Sequence, residues 1–383
     1  MTATPNPSDL RNTPEQPEAV PSVKKVVASL GGVFPFDDAV IDALPKGSTF
    51  RSVEHFGKSA YTITGRVVAS DPDGSEKSYF LKVAYGEPGR IMLRGQWESF
   101  KDIYKVAPGF IPIPFGFGQY KVATLPTYFF LSEFVDMDET AAPGPEDFCA
   151  KLAAMHRDSK SPTGKFGYHV QTCDGKLPHI VDWEASWADF FRKLFLGVLG
   201  FDLETNGPWP ELERAAAHIA DKVIPRLLGV LQADGRHIDP AIIHGDLWEG
   251  NVGINRATGE SILFDAGSFF AHNEMELGHW RCDFTSVFCA ETYTRHYLLH
   301  YPAAEPVDEF DDRLRLYSIK GNLIYSAGHP GSSLRRTAYN NMCYLCEKYA
   351  PTESIAKYDQ RIDPFITGRR IVPHLPEASL EGN

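Results

Sequence analysis

Three polar residues recur at spacings that suit the handling of phosphate: Asp246 in the triplet HGD, Asn251 five positions later, and Asp265 fourteen positions after that. Phosphoryl transfer to a hydroxyl needs a carboxylate to orient the attacking oxygen. It also needs metal held on oxygen ligands, usually one carboxylate and one amide, to balance the charge on the phosphates. Asp246 suits the first task. Asn251 and Asp265 suit the second, because a loop followed by a hairpin can return distant residues to one point. A fourth residue, Lys82 in YFLKVA, alternates with Phe80 and Ala84 on one face of a strand. An ammonium in such apolar company requires an anion, and the α and β phosphates of ATP would supply it. Taken singly, these residues are equally well turn residues, caps or an edge-strand lysine. Their joint occurrence points to phosphoryl transfer with ATP and Mg2+ as cofactors.

The order Asp, four residues, Asn, then a strand ending in Asp is that of the protein kinases, with HGD for HRD and FDAG for DFG. Upstream, RSVEHF, AYTITGRVVA and SYFLKVA are short β-rich segments, the last two joined by a turn centred on Asp-Pro-Asp-Gly, which predicts a twisted antiparallel sheet. The turn in HFGKSAYTITGRV would lie over the phosphates, Gly57 and Gly65 giving freedom and Lys58 and Ser59 polar contacts. The segment IMLRGQWESFKDIYKVA has near-helical spacing and is ended by Pro108, Gly109 and Pro112, so one helix should pack on the sheet. TYFFLSEFV reads as a buried strand running into the linker DMDETAAPGPED. Glu133, Phe134 and Val135 at its end are candidates for a hinge offering main-chain groups to adenine.

Beyond that point the patterns are helical, at PEDFCAKLAAMHRDS, VDWEASWADFFRKLFLGVL and PELERAAAHIADKVIPRLLGVL, and then at about 274–298, 309–326 and 333–348. Among them lies one β island, AIIHGDLWEGNVGIN and SILFDAGS joined by the turn RATGE, which carries Asp246, Asn251 and Asp265. The predicted class is α+β, a two-lobed protein-kinase-like fold. It comprises a disordered leader (1–22), a β-rich nucleotide-binding N-lobe (23–136), a mainly helical C-lobe with the catalytic loop and metal site (137–350), and a C-terminal tail (351–383).

Composition bounds the partners. The chain has 383 residues, 43% hydrophobic and 23% charged, with 25 Phe and 16 Tyr, so most of it should fold. Its 50 acidic against 38 basic residues give a net charge of −12, which repels polyanions and argues against nucleic acid. The apolar run FFRKLFLGVLGF is short for a membrane span and is broken by Arg192 and Lys193, so no membrane association is expected. The opening residues show no basic then apolar signal pattern, and six scattered cysteines suit a reducing compartment, which makes the cytoplasm the expected location. Cys343 and Cys346 read as helix packing rather than as a zinc site.

At HGDLWEGN and FDAGSFFAHNEMEL the chain resembles the fructosamine kinases, the ketosamine 3-kinases related to aminoglycoside phosphotransferases and choline kinases. That family writes HGDLW-x-GN and then FDP-[AS]-S-[FY]-[FY]-x-H-x-E-x-[DE]-L. The resemblance implies ATP-dependent phosphorylation of the sugar 3-hydroxyl of ketoamines on lysine or free amines, with decomposition of the product releasing the amine. Its implied partners are glycated proteins or small ketoamines, and its implied assembly a monomer or weak dimer. By position it makes Asp246 the catalytic base, Asn251 and Asp265 magnesium ligands, Lys82 the phosphate-binding lysine, Trp248 a wall of the sugar pocket and His272 a further substrate residue. Three departures stand out. Gln96 occupies the place of a Glu that would pair with the strand lysine, so its amide is expected to accept from Lys82, activity to be weakened, and Gln96→Glu to raise turnover. No Cys precedes position 149, so a redox switch at the phosphate loop is not expected. FDAG stands where the family has FDP. Rival readings are a kinase for an aminoglycoside, choline or another small hydroxyl compound, and a pseudokinase.

Overall fold

The computed structural model describes residues 33–368; the predicted leader and the end of the predicted tail lie outside them. Helix α1 (Asp38–Asp42) precedes five strands, β1 (Thr49–His55), β2 (Ile63–Ser70), β3 (Glu76–Tyr85), β4 (Pro114–Gln119) and β5 (Thr127–Glu133), which form one antiparallel sheet in the order β1-β2-β3-β5-β4. Lys82 sits on the central strand, opposite Thr64 of β2 and Phe130 of β5. This position removes the edge-strand alternative and puts the lysine on a strand whose backbone is paired on both sides.

Helix α2 (Gly86–Val106) follows β3 and buries Leu93, Phe100 and Ile103, with Phe100 edge-on to Phe130 at 4.9 Å. Its other side meets the helical lobe. A Cβ at Gly95 would stand 2.8 Å from the Gln171 carbonyl, and Ser99 Oγ accepts from the Ser268 amide at 2.9 Å. One helix thus reads both lobes and fixes Gln96 between them.

The chain then gives a short strand β6 (Met137–Asp138), helix α3 (Pro145–Asp158), the hairpin β7 (Cys173–Asp174) and β8 (Leu177–Pro178), and helix α4 (Trp187–Asn206). Helix α5 (Pro210–His218) runs through a π turn at Ile219–Val223 into α6 (Ile224–Leu228). Next comes the β island. Strand β9 (Ala241–Ile243) pairs with β12 (Phe269–Ala271), and β10 (Val252–Asn255) pairs with both β11 (Ser261–Leu263) and β6. The predicted linker therefore supplies a strand to the island. Helices α7 (Glu274–His279), α8 (Glu291–His300), α9 (Phe310–Gly328) and α10 (Leu334–Tyr349) follow, and α11 (Pro364–Thr367) ends the described residues. Trp187, Phe190, Phe191 and Tyr317 lie fully buried where α4 meets α9. No described helix is long and apolar enough to cross a membrane.

Two predicted helices change shape. The stretch at 274–298 is split between α7 and α8, because the buried Thr285 hydroxyl engages the Trp280 and Cys282 carbonyls (2.8 and 2.9 Å) and turns the chain. The helix expected from Val181 starts at Trp187. Glu184 pairs its backbone with Phe166, and Ser186 caps α4 by accepting from the Asp189 amide.

Short α7 is held by a fully buried ion pair. Arg313 of α9 donates through Nε and Nη2 to Glu274 (2.6 and 2.9 Å), and its remaining donors meet the Ala304 and Pro306 carbonyls. Removing one partner leaves a buried charge without compensation. Arg313→Leu is expected to lower stability by about 3–5 kcal/mol, read as a fall in the urea midpoint.

Candidate active site

Strand β9 delivers His244, Gly245 and Asp246 into a tight turn whose amides are gripped from α7. The His244 and Gly245 N–H groups donate to the two carboxylate oxygens of Glu276, the second at 3.1 Å. Burial by itself would raise the Glu276 carboxyl. His156 beside it and the His244 amide outweigh that, holding it below its ordinary value of 4.5 as a carboxylate. His244 then ties two segments together, with Nε2 on the Phe264 carbonyl (2.9 Å) and Nδ1 accepting from the Asp246 amide (3.4 Å). Gly245 has φ +88, and a Cβ there would collide with the Gly267 carbonyl, which accounts for the glycine where protein kinases carry arginine.

Asn251 Nδ2 donates to both the Asp246 carbonyl (2.8 Å) and its Oδ2 (3.0 Å), which leaves the Asn251 oxygen as the group able to face a cation. Asp265 follows β11 with φ +59, a left-handed conformation uncommon outside glycine that Asp tolerates. Lys82 Nζ lies on its Oδ1, so the lysine of one lobe and the acid of the other meet directly. Gln96 departs from expectation: its Nε2 donates to the same Asp265 oxygen at 3.0 Å instead of its carbonyl accepting from Lys82. Glu98, the nearest carboxylate on α2, is engaged with Lys101 and His169.

One cavity of about 390 Å³ lies between the lobes. Lys82, Gly57, Ser59, Glu133, Phe134, Val135, Asp246, Trp248, Asn251 and Asp265 all border it. Ser59 Oγ is committed as an acceptor to the Tyr61 and Thr62 amides, leaving its single proton to donate. At the predicted hinge, the Glu133 and Phe134 N–H groups are already bonded to the Ile113 and Ser78 carbonyls, so a purine would be read chiefly by the main chain of Val135. Phe56 stands edge-on to Phe80 and Phe134 and gives this end an aromatic wall.

His272 does not belong to the site. It is fully buried, bonded through Nδ1 to the Tyr317 hydroxyl at 3.0 Å, and absent from the cavity wall. Residues not singled out in the sequence also shape the site. Glu276 grips the loop through two backbone N–H groups, and His244 braces it. Tyr61 borders the cavity near Asp246, and burial together with that carboxylate pushes its phenol up, so it stays protonated. Two glutamates close behind the apolar run Phe269-Phe270-Ala271 were the available sequence signal for Glu276.

Among the described residues no group of three or more His, Cys, Asp or Glu side chains could hold a metal alone. One carboxylate and one amide oxygen do fit magnesium that brings phosphate oxygens as its further ligands.

A β-rich lobe, a helical lobe and a cleft between them make up a kinase-like fold. Solved relatives share the fold: a Thermobifida fusca protein assigned to the fructosamine-3-kinases (TM-score 0.63, 21% identity, 81% of this chain and 98% of that one). A second is a thermostable mutant of the aminoglycoside phosphotransferase APH(4)-Ia in ternary complex with AMP-PNP and hygromycin B (TM-score 0.52, 15% identity, 79% of this chain and 95% of that one). A profile of the fructosamine kinase family matches residues 59–335, and the chain belongs to that family. It is 30% identical over 270 residues to the chloroplastic protein-ribulosamine 3-kinase of Oryza sativa subsp. japonica, covering 67% of this chain and 70% of the relative. It is 27% identical over 293 residues to the ketosamine-3-kinase of Mus musculus, covering 68% and 87%.

Gln96→Glu would set a second carboxylate against Asp265, so the gain in turnover expected from sequence does not follow from this geometry. The ligand-free variant should be less stable by about 1 kcal/mol and show a larger thermal shift than wild type with magnesium and ATP. Glu276→Gln removes an acceptor from a buried N–H and should cost about 1–3 kcal/mol at pH 7. Because the native carboxyl is held low, its contribution is complete above 4.5 and fades as pH falls through the depressed value. Denaturant melts should therefore show the wild-type advantage shrinking below that pH.

Proposed function

We propose that the protein transfers the γ-phosphoryl group of ATP to the 3-hydroxyl of ketoamines, ribulosamines and fructosamines on lysine or free amines. The 3-phosphate then decomposes and frees the amine, so the activity amounts to deglycation. The observation carrying this reading is the convergence of Lys82, Asp246, Asn251 and Asp265 on one cavity in a chain of the fructosamine kinase family.

Val135 receives the purine, and Lys82 pairs with the α and β phosphates. Magnesium, when bound, offsets charge on the phosphates, and Asn251 with Asp265 would hold it. Asp246 orients the sugar 3-hydroxyl and takes its proton as that oxygen bonds to the γ phosphorus and the bond to the β-phosphate oxygen breaks. Trp248 and Tyr61 flank Asp246 and form a wall for the sugar. Fixing the Asp246 loop through Glu276 supplies orientation before the substrate arrives.

Phosphate transfer from ATP to ribulosyl-lysine, fructosyl-lysine and an aminoglycoside tests the reading directly. Both ketoamines should be phosphorylated, and Asp246→Asn should lower the rate by about 10² to 10⁴ with ATP affinity little changed. Transfer to the aminoglycoside alone would replace this substrate class, and tight nucleotide binding with no transfer would indicate a pseudokinase.

A further inference from the structure

His279, the last residue of α7, is 7% exposed, and its Nε2 lies 3.3 Å from Asp246 Oδ1. That nitrogen is buried and has no hydrogen-bond partner among the described residues. The ring is fixed by its surroundings: Phe284 stands edge-on at 5.1 Å, and Gly321 of α9 provides a floor where a Cβ would come within 3.5 Å of Nδ1 and press on Cys282. Behind the pair lies a second polar cluster, in which Lys320 of α9 bonds Asp174 and His179; Tyr61 lies on the cavity side.

The terminal torsion of an aspartate is soft, so one hydrogen bond does not fix the plane of its carboxylate. Asn251 holds Oδ2. We infer that His279 is a positioning residue for Asp246, placing a donor on Oδ1 so that the carboxylate is bracketed at both oxygens and presents one edge to the acceptor hydroxyl. Contacts of this kind are commonly poorly aligned before substrate binds, which agrees with a 3.3 Å approach that does not yet have hydrogen-bond geometry. The catalytic part of this inference rests on the kinase reading above; the pairing of the two side chains does not.

Two measurements separate them. In ketoamine phosphorylation, His279→Leu should lower kcat by about 10- to 100-fold with KM for ATP unchanged, and His279→Gln, which keeps a donor, should recover most of the loss. Unchanged kcat in the Leu variant, or equal loss in both variants, would overturn the positioning role. Independently of turnover, the Nε2 resonance of His279 in 15N spectra of the full chain should move in Asp246→Asn. An unmoved resonance would overturn the pairing, even in a protein that phosphorylates no ketoamine.

Discussion

Lys82 and Asp265 are 183 residues apart in sequence and touch across the boundary between the lobes. The pairing sets conditions on everything near it. An ammonium on a central, fully paired strand is almost wholly buried, so it needs an anion at all times, whether the acid of the other lobe or the phosphates of a nucleotide. Asp265 meets that need while remaining partly open to the cavity, and it does so from a left-handed backbone conformation that turns its carboxylate toward the sheet. Gln96 adds a neutral donor to the same oxygen. In this arrangement the amide steadies Asp265 rather than aiming the lysine.

The second frame is built from backbone. Glu276 binds two consecutive amides, His244 links the Asp246 loop to the end of β11, and Gly245 and Gly267 pass too closely for a Cβ on the former. These contacts place Asp246 without using its own carboxylate, whose Oδ2 accepts from Asn251 and whose Oδ1 lies beside His279. Arg313 holds α7, and with it Glu276, through Glu274. Hydrogen-bonded buried charges thus run from Arg313 of α9 through Glu274 and Glu276 of α7 to the Asp246 loop.

Much of this was readable from residue order. The sheet was legible because SYFLKVA is a short β-rich run preceded by an Asp-Pro-Asp-Gly turn, and the β island because HGD, Asn251 and Asp265 keep a recognisable spacing. Local patterns did not reveal which way buried polar residues face. His272 and Glu276 share one short motif, yet the first bonds Tyr317 inside the core and the second grips the reactive loop. The break after His279 depends on a threonine hydroxyl reaching back to carbonyls, and periodicity carries no trace of it. The partner of Gln96 and the groups left open at the hinge likewise depend on contacts between distant segments.

We propose that Asp265 carries the metal and Lys82 the phosphates at one shared point. Calorimetric titration of AMP-PNP, with and without magnesium, into wild type, Asp265→Asn and Lys82→Met tests it most directly. Magnesium should tighten binding to wild type, that gain should vanish in Asp265→Asn while metal-free affinity persists, and Lys82→Met should bind more weakly in both conditions. A magnesium gain that survives in Asp265→Asn, or wild-type affinity in Lys82→Met, would contradict it.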